Sequence, residues 1–274
     1  MDSKNIPLQK LLASVKLPSI PDVAVTLIRT LDDEDFHLNK IVQLIEKDPG
    51  ITATVIKHAN SARYGLSNKV RSVEEAIRML GFSNVRAIAL GASVSGVFPA
   101  DAGIDRTQFW KWSETAGELA HKLAGKARLD ATSAWLIGFT MRIGEILIAQ
   151  YDSVMASAIE AGNLSPGTRW KREIEALGAT EGQIVAVLAG MWNFPEDVVS
   201  GLRASGNPLN DEWPFSALSA VAYTGGLLAD AIVNGVNDSG VLLDSVVDWN
   251  VADEIGLTRA QVQEVITSQL GNAD

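Results

Sequence analysis

A chain of 274 residues, 47% hydrophobic and 20% charged, has enough apolar material for one large core or two modest ones and is too apolar to be a disordered segment. It contains no cysteine, which excludes disulfides, thiolate metal sites and cysteine nucleophiles and is compatible with a cytoplasmic setting. The formal net charge of −10 opposes diffuse attraction to phosphate backbones, and Lys and Arg are scattered rather than clustered, which argues against a nucleic-acid partner.

In chain order, the first residues have hydrophobics at helical intervals and lack an apolar core with a cleavage site, so no signal peptide is predicted. After Pro-Ser-Ile-Pro, the residues Val23, Leu27, Ile28 and Leu31 form a helical stripe, and Leu38, Ile41, Val42 and Ile45 form the next. Asp48 is placed to cap free amides and Pro49 to occupy a first helical position in a helix ending near Asn60. Ser72-Val73-Glu74-Glu75 is a capping box that opens a short helix, and Gly81 closes it. Ser83 opens a further helix through Val97.

The proline, glycine and small polar residues of Phe98 to Gln108 mark a linker, with a boundary near Asp101. Two parts follow from this, residues 1–100 and 101–274. In the second, Phe109, Trp112, Ala116, Leu119 and Leu123 share one face, opposite a solvated face of Lys111, Glu114, Glu118 and Lys122. Residues 131–150, 182–191, 196–204, 215–231 and 258–270 read as later helices. The most apolar stretches are too short to span a bilayer or are interrupted by Arg142 and Glu145, so no membrane span is predicted. With no sustained alternation to suggest a sheet, the expected fold is all-α, a multi-helical bundle in two packed parts.

The segments LPSIPDVAVTLIRTL, IEKDPGITATVIKHANSARYG and VRSVEEAIRMLGFSNVRAIAL together resemble the signature of the HDOD (HD-related output domain) family. The likeness weakens through FWKWSETAGELAHKLA and AWLIGFTMRIGEILIAQ and fades after about residue 210. It implies a helical scaffold related to HD-type phosphohydrolases, found in bacterial signalling proteins and usually acting without demonstrated catalysis.

An HD-type hydrolase holds divalent metal with several histidines and a His-Asp pair, because the ion must polarise phosphate and activate a bound water. Where relatives place that pair before Ile-Gly, this chain has Met141-Arg142. Trp112 stands at another ligand position, and Ser205-Gly206 at a third. The histidines His37, His58 and His121 are read as surface or locally hydrogen-bonded residues, with no pair at metal-ligand spacing.

No catalytic residue, cofactor or metal ligand is therefore assigned. Arg142 is expected either to fill the vacated cavity and pair with a carboxylate, Glu114 or Glu145, or to be an ordinary surface arginine. The family-matched residues Asp48, Pro49, Asn60, Ser61, Ala62, Arg63 and Tyr64 offer a partner surface, although Asn60 reads first as a helix-end residue that holds the next loop. Trp192 and Trp213 read as buried staples at helix junctions, and Gly225-Gly226 as a packing pair. The resulting expectation is a non-catalytic signal-transduction or scaffold protein acting on an unidentified signalling partner. Its alternatives are a metal-dependent phosphohydrolase of nucleotides or cyclic dinucleotides, and a sensor of small anions or nucleotides in the vacated pocket.

Overall fold

The computed structural model describes residues 8–15, 21–29, 38–60, 69–96, 104–161 and 165–271, and every regular element among them is helical. The all-α expectation holds. Contacts divide the chain into two units, the smaller built on residues 18–99 and the larger on residues 100–191 and 196–270. Helix α1 (Leu8–Ser14) groups with the larger unit, where it packs against Ile143–Tyr151, although the sequence placed it with residues 1–100.

The smaller unit comprises α2 (Asp22–Arg29), α3 (Leu38–Glu46), α4 (Pro49–Ala59), α5 (Val73–Leu80) and α6 (Phe82–Ser95). Leu27, Ile41, Ile45, Val55, Val73 and Val85 are removed from solvent entirely and form its core. Local chemistry sets the helix boundaries. Asp48 Oδ1 accepts from the amides of Gly50 (2.8 Å) and Ile51 (3.1 Å), with Pro49 at the first helical position, where its missing N–H costs nothing.

Ser72 Oγ likewise accepts from Glu75 N at 3.1 Å. The Glu75 carboxylate reaches back to the amide of Arg71 at 2.7 Å, one residue earlier than a capping box expects. Gly81 then leaves the helix at φ 84°, a left-handed value that suits glycine. Asn60 Oδ1 accepts from Val70 N at 2.8 Å while its Nδ2 donates to Val70 O at 2.7 Å, so one side chain ties the end of α4 to the strand of chain entering α5.

In the larger unit α7 (Arg106–Ala127), capped by Asp105, packs most extensively against α8 (Ala131–Thr140) and α14 (Ala217–Val233). These helices approach so closely that a Cβ on Gly138 would stand 2.7 Å from the Ala116 carbonyl oxygen, and one on Gly225 3.0 Å from Ala120 N. The remaining elements are α9 (Ile143–Tyr151), α10 (Ser153–Glu160), α11 (Thr168–Leu177), α12 (Glu181–Met191), α13 (Glu196–Ala204), α15 (Ser239–Val241), a π turn at Leu242–Val246, α16 (Trp249–Glu254) and α17 (Arg259–Leu270).

Three expectations need correction. Residues 131–150 are not one helix but two, α8 and α9, parted at Met141-Arg142. Taken together, residues 131–151 have the length and hydropathy of a membrane span, yet 89% of the apolar stretch is buried inside the protein. The face of α7 expected to be solvated is partly covered by α17: Lys122 Nζ donates to Gln269 Oε1 at 2.9 Å, and Gln269 Nε2 donates to Glu118 Oε2 at 3.0 Å. Trp192 is buried, but Trp213 is 38% exposed under the Arg203 guanidinium, so it is no staple.

A charged cavity as the candidate functional site

The site begins at the break between α8 and α9. Thr140 Oγ1 bonds back to Leu136 O at 2.7 Å, and the Glu145 amide reaches Arg142 O, a tightened turn that sets Arg142 between two helices in a helical conformation without a side-chain cap. Its side chain leaves the apolar stack and enters a cavity of about 540 Å³ walled by α7, α9, α10, α11 and the end of α14.

Inside, Arg142 Nε donates to Glu145 Oε2 at 2.9 Å, and its guanidinium carbon lies 4.5 Å from the centre of the Trp112 ring. Arg142 Nη1 stands 3.6 Å from Asp230 Oδ1, and Nη2 stands 3.9 Å from Glu160. Trp112 Nε1 donates to Asp230 at 2.5 Å, and the Gly167 amide donates to the other oxygen of the same carboxylate at 3.1 Å. Gly167 adopts φ 73°, and a Cβ there would meet Leu227 at 2.8 Å, so glycine serves both the turn and the close approach.

Beneath this layer lies a second arginine. Arg169 Nε stands 2.8 Å from Glu173 Oε1 and 3.1 Å from Glu181 Oε2, while its Nη1 meets Glu160 and lies 3.7 Å from Glu145. Glu173 Oε2 accepts from the Glu181 amide at 2.7 Å, satisfying a free N–H at the start of α12, and Trp170 Nε1 donates to Glu181 Oε1 at 3.0 Å.

Burial, and then the neighbouring Glu181, push Glu173 up to about 8, with Arg169 opposing them. Glu181 is pushed up by the same burial against the pull of Arg169. Burial works against the charge on Arg169, but Glu181, Glu145, Glu173 and Asp230 outweigh it and hold the guanidinium above its ordinary range.

Of the positions that the sequence reading set against a hydrolase's ligands, Trp112 and Arg142 lie side by side on the cavity wall. Met141 is turned away and fully buried, with its terminal methyl packed where a Cβ on Gly226 would stand. Ser205 and Gly206 do not line the cavity. Ser205 Oγ bonds to Leu202 O at 2.8 Å, and the two residues pack against Gly182 and Thr180, on either side of Glu181.

In the smaller unit, Asp48, Pro49 and Asn60 are engaged in the helix-end contacts described above; Ser61, Ala62, Arg63, Tyr64 and His37 lie outside the described residues. His121 Nδ1 is 3.0 Å from Ala131 O.

Sequence reading missed Arg169, Glu173, Glu181, Glu160 and Asp230. Two signals were present: Arg169 and Glu173 sit four apart on one helix, and Asp230 is a lone carboxylate in the apolar run LLADAIV. Among the described residues, no three His, Asp or Glu side chains are placed to hold a metal ion. The donor set does not fit a divalent ion, because Glu145, Asp230 and Glu181 each face a guanidinium instead.

The model for the HDOD domain matches residues 17–208. A relative from Treponema pallidum (strain Nichols), an uncharacterized protein, is 27% identical over 236 residues, covering 80% of this chain and 45% of that protein. The Bacillus subtilis (strain 168) protein YuxH is 30% identical over 60 residues, 22% of this chain and 15% of its own. The chain thus spans less than half the length of these curated relatives.

Among crystal structures, an HDOD domain protein from Geobacter sulfurreducens superposes with a TM-score of 0.77 at 18% identity, over 97% of this chain and 94% of that one. A candidate phosphohydrolase from Shewanella amazonensis SB2B gives 0.73 at 23% identity, over 97% and 95%. At such identities the likeness establishes the fold, and it extends the match past residue 210, where the sequence signature fades.

Proposed function

This chain belongs to the HDOD family, and from that premise we propose that it is a non-catalytic signal-transduction or scaffold component acting through protein contacts. One observation carries the reading. The cavity beside Trp112 and Arg142, where the family resemblance would put hydrolase ligands, is lined by the protein's own ion-pair network, with the Arg142 guanidinium stacked on Trp112 and held by Glu145 and Asp230. A fixed cation there repels a divalent metal, and carboxylates already paired with guanidinium are costly to recruit as ligands.

The same electrostatics weigh against a sensor of small anions. Arg142 and Arg169 line the cavity, but Glu145, Glu160 and Asp230 stand against them and already supply the negative charge an anion would bring.

The test is turnover. The full chain, supplied in turn with magnesium, manganese, iron and zinc, is assayed against nucleotides, cyclic dinucleotides and a generic phosphodiester. The expected result is no hydrolysis above the metal-only blank; sustained turnover that a chelator abolishes overturns the proposal.

A further inference from the structure

Two buried carboxylates converge on a single N–H at the floor of the network. Arg169 Nε lies 2.8 Å from Glu173 Oε1 and 3.1 Å from Glu181 Oε2, yet it carries one hydrogen. The other oxygens are committed, Glu173 Oε2 to the Glu181 amide and Glu181 Oε1 to the Trp170 indole. Glu173 Oε1 has no donor in hydrogen-bonding geometry, and the two side chains are 0% and 1% exposed, so bulk water does not supply one.

We propose that Glu173 and Glu181 together bind one proton, forming a buried proton site that makes the junction of α11 and α12 responsive to pH. A hydrogen on Glu173 Oε1 gives that oxygen a donor of its own to direct at Glu181 Oε2 and frees the Arg169 N–H for Glu181. The charge around the pair points the same way. Arg169 comes from α11 itself, Arg142 and Glu145 from the break before α9 and its first turn, Asp230 from α14, and Glu160 from α10 through Arg169. Two guanidiniums thus face five carboxylates, of which Glu160 is partly solvated while Glu173 and Glu181 are shielded from solvent, and one bound proton removes part of that excess. The upward shift of both carboxyl groups agrees with this arrangement.

The sign follows from linkage. The native state keeps a proton that the unfolded chain gives up above the ordinary glutamate range, so the stabilisation is complete in acid and is lost as pH rises through about 8.

Equilibrium urea unfolding of the full chain is compared for wild type and Glu173→Gln from about pH 5.5 to about pH 7.5, a window in which one proton makes the unfolding constant change about tenfold per pH unit. The amide mimics the protonated acid, so the wild-type unfolding constant should rise more steeply than the variant's by up to that factor; parallel slopes overturn the proposal. If the variant does not fold, infrared spectroscopy of the wild type decides. A protonated-carboxyl stretch present near neutrality and lost in alkali supports the site, and its absence near neutrality overturns it.

Discussion

At Arg142 the guanidinium touches an aromatic face and two carboxylates at once, so removing it strands charges that have little water to turn to. Arg142→Met keeps much of the side-chain volume but leaves Glu145 and Asp230 short of a cation, and breaking such a buried pair costs about 3 kcal/mol. Urea unfolding should register that loss. Trp112→Phe tests the neighbouring contact: it keeps a ring beneath Arg142 but removes the donor to Asp230, with an expected cost of about 1–2 kcal/mol.

The sequence offered Arg142 either as a guanidinium in the vacated cavity paired with Glu114 or Glu145, because it replaces a ligand expected from the resemblance, or as an ordinary surface arginine; the partner in the structure is Glu145. It did not show Asp230, Glu160 or the layer beneath, since those side chains come from α14, α10, α11 and α12 and meet only in the fold.

Among the helices, caps and glycines account for much of what is legible. Asp48-Pro49, Ser72 and Gly81 mark their boundaries directly because each satisfies backbone groups in its own neighbourhood. The break at Met141-Arg142 was not read because apolar residues resume directly after Arg142 and neither residue is a helix breaker, and periodicity does not register a two-residue change of direction. Helix α11 was missed for the opposite reason. The segment Thr168–Leu177, TRWKREIEAL, is so polar that its buried Trp170, Glu173 and Leu177 do not stand out as a stripe.

The glycines of the larger unit provide a test with two signs. Gly138→Ala puts a methyl group 2.7 Å from the Ala116 carbonyl oxygen, which has no flexible end to yield, and should cost about 1–3 kcal/mol in chemical denaturation. Gly125→Ala on α7 meets open space and should instead stabilise by about 0.5–1 kcal/mol through helix propensity.

Across the whole molecule, the signature segments read from the sequence lie in the smaller unit and the charged cavity in the larger one, while the family match itself runs through both, over residues 17–208. That division explains why the family was readable before the site was. Caps and loop ties are local and survive as motifs, but a network of five carboxylates and two guanidiniums can be rebuilt from scattered positions without leaving one.

On the proposed function, the carboxylates of this cavity belong to Arg142 and Arg169 and not to a metal. Calorimetric titration of manganese into the full chain, in parallel with Glu145→Gln and Asp230→Asn, tests it most directly. No saturable one-to-one binding is expected in the wild type, and no difference in heat between the three proteins. Stoichiometric binding that either substitution abolishes would contradict it.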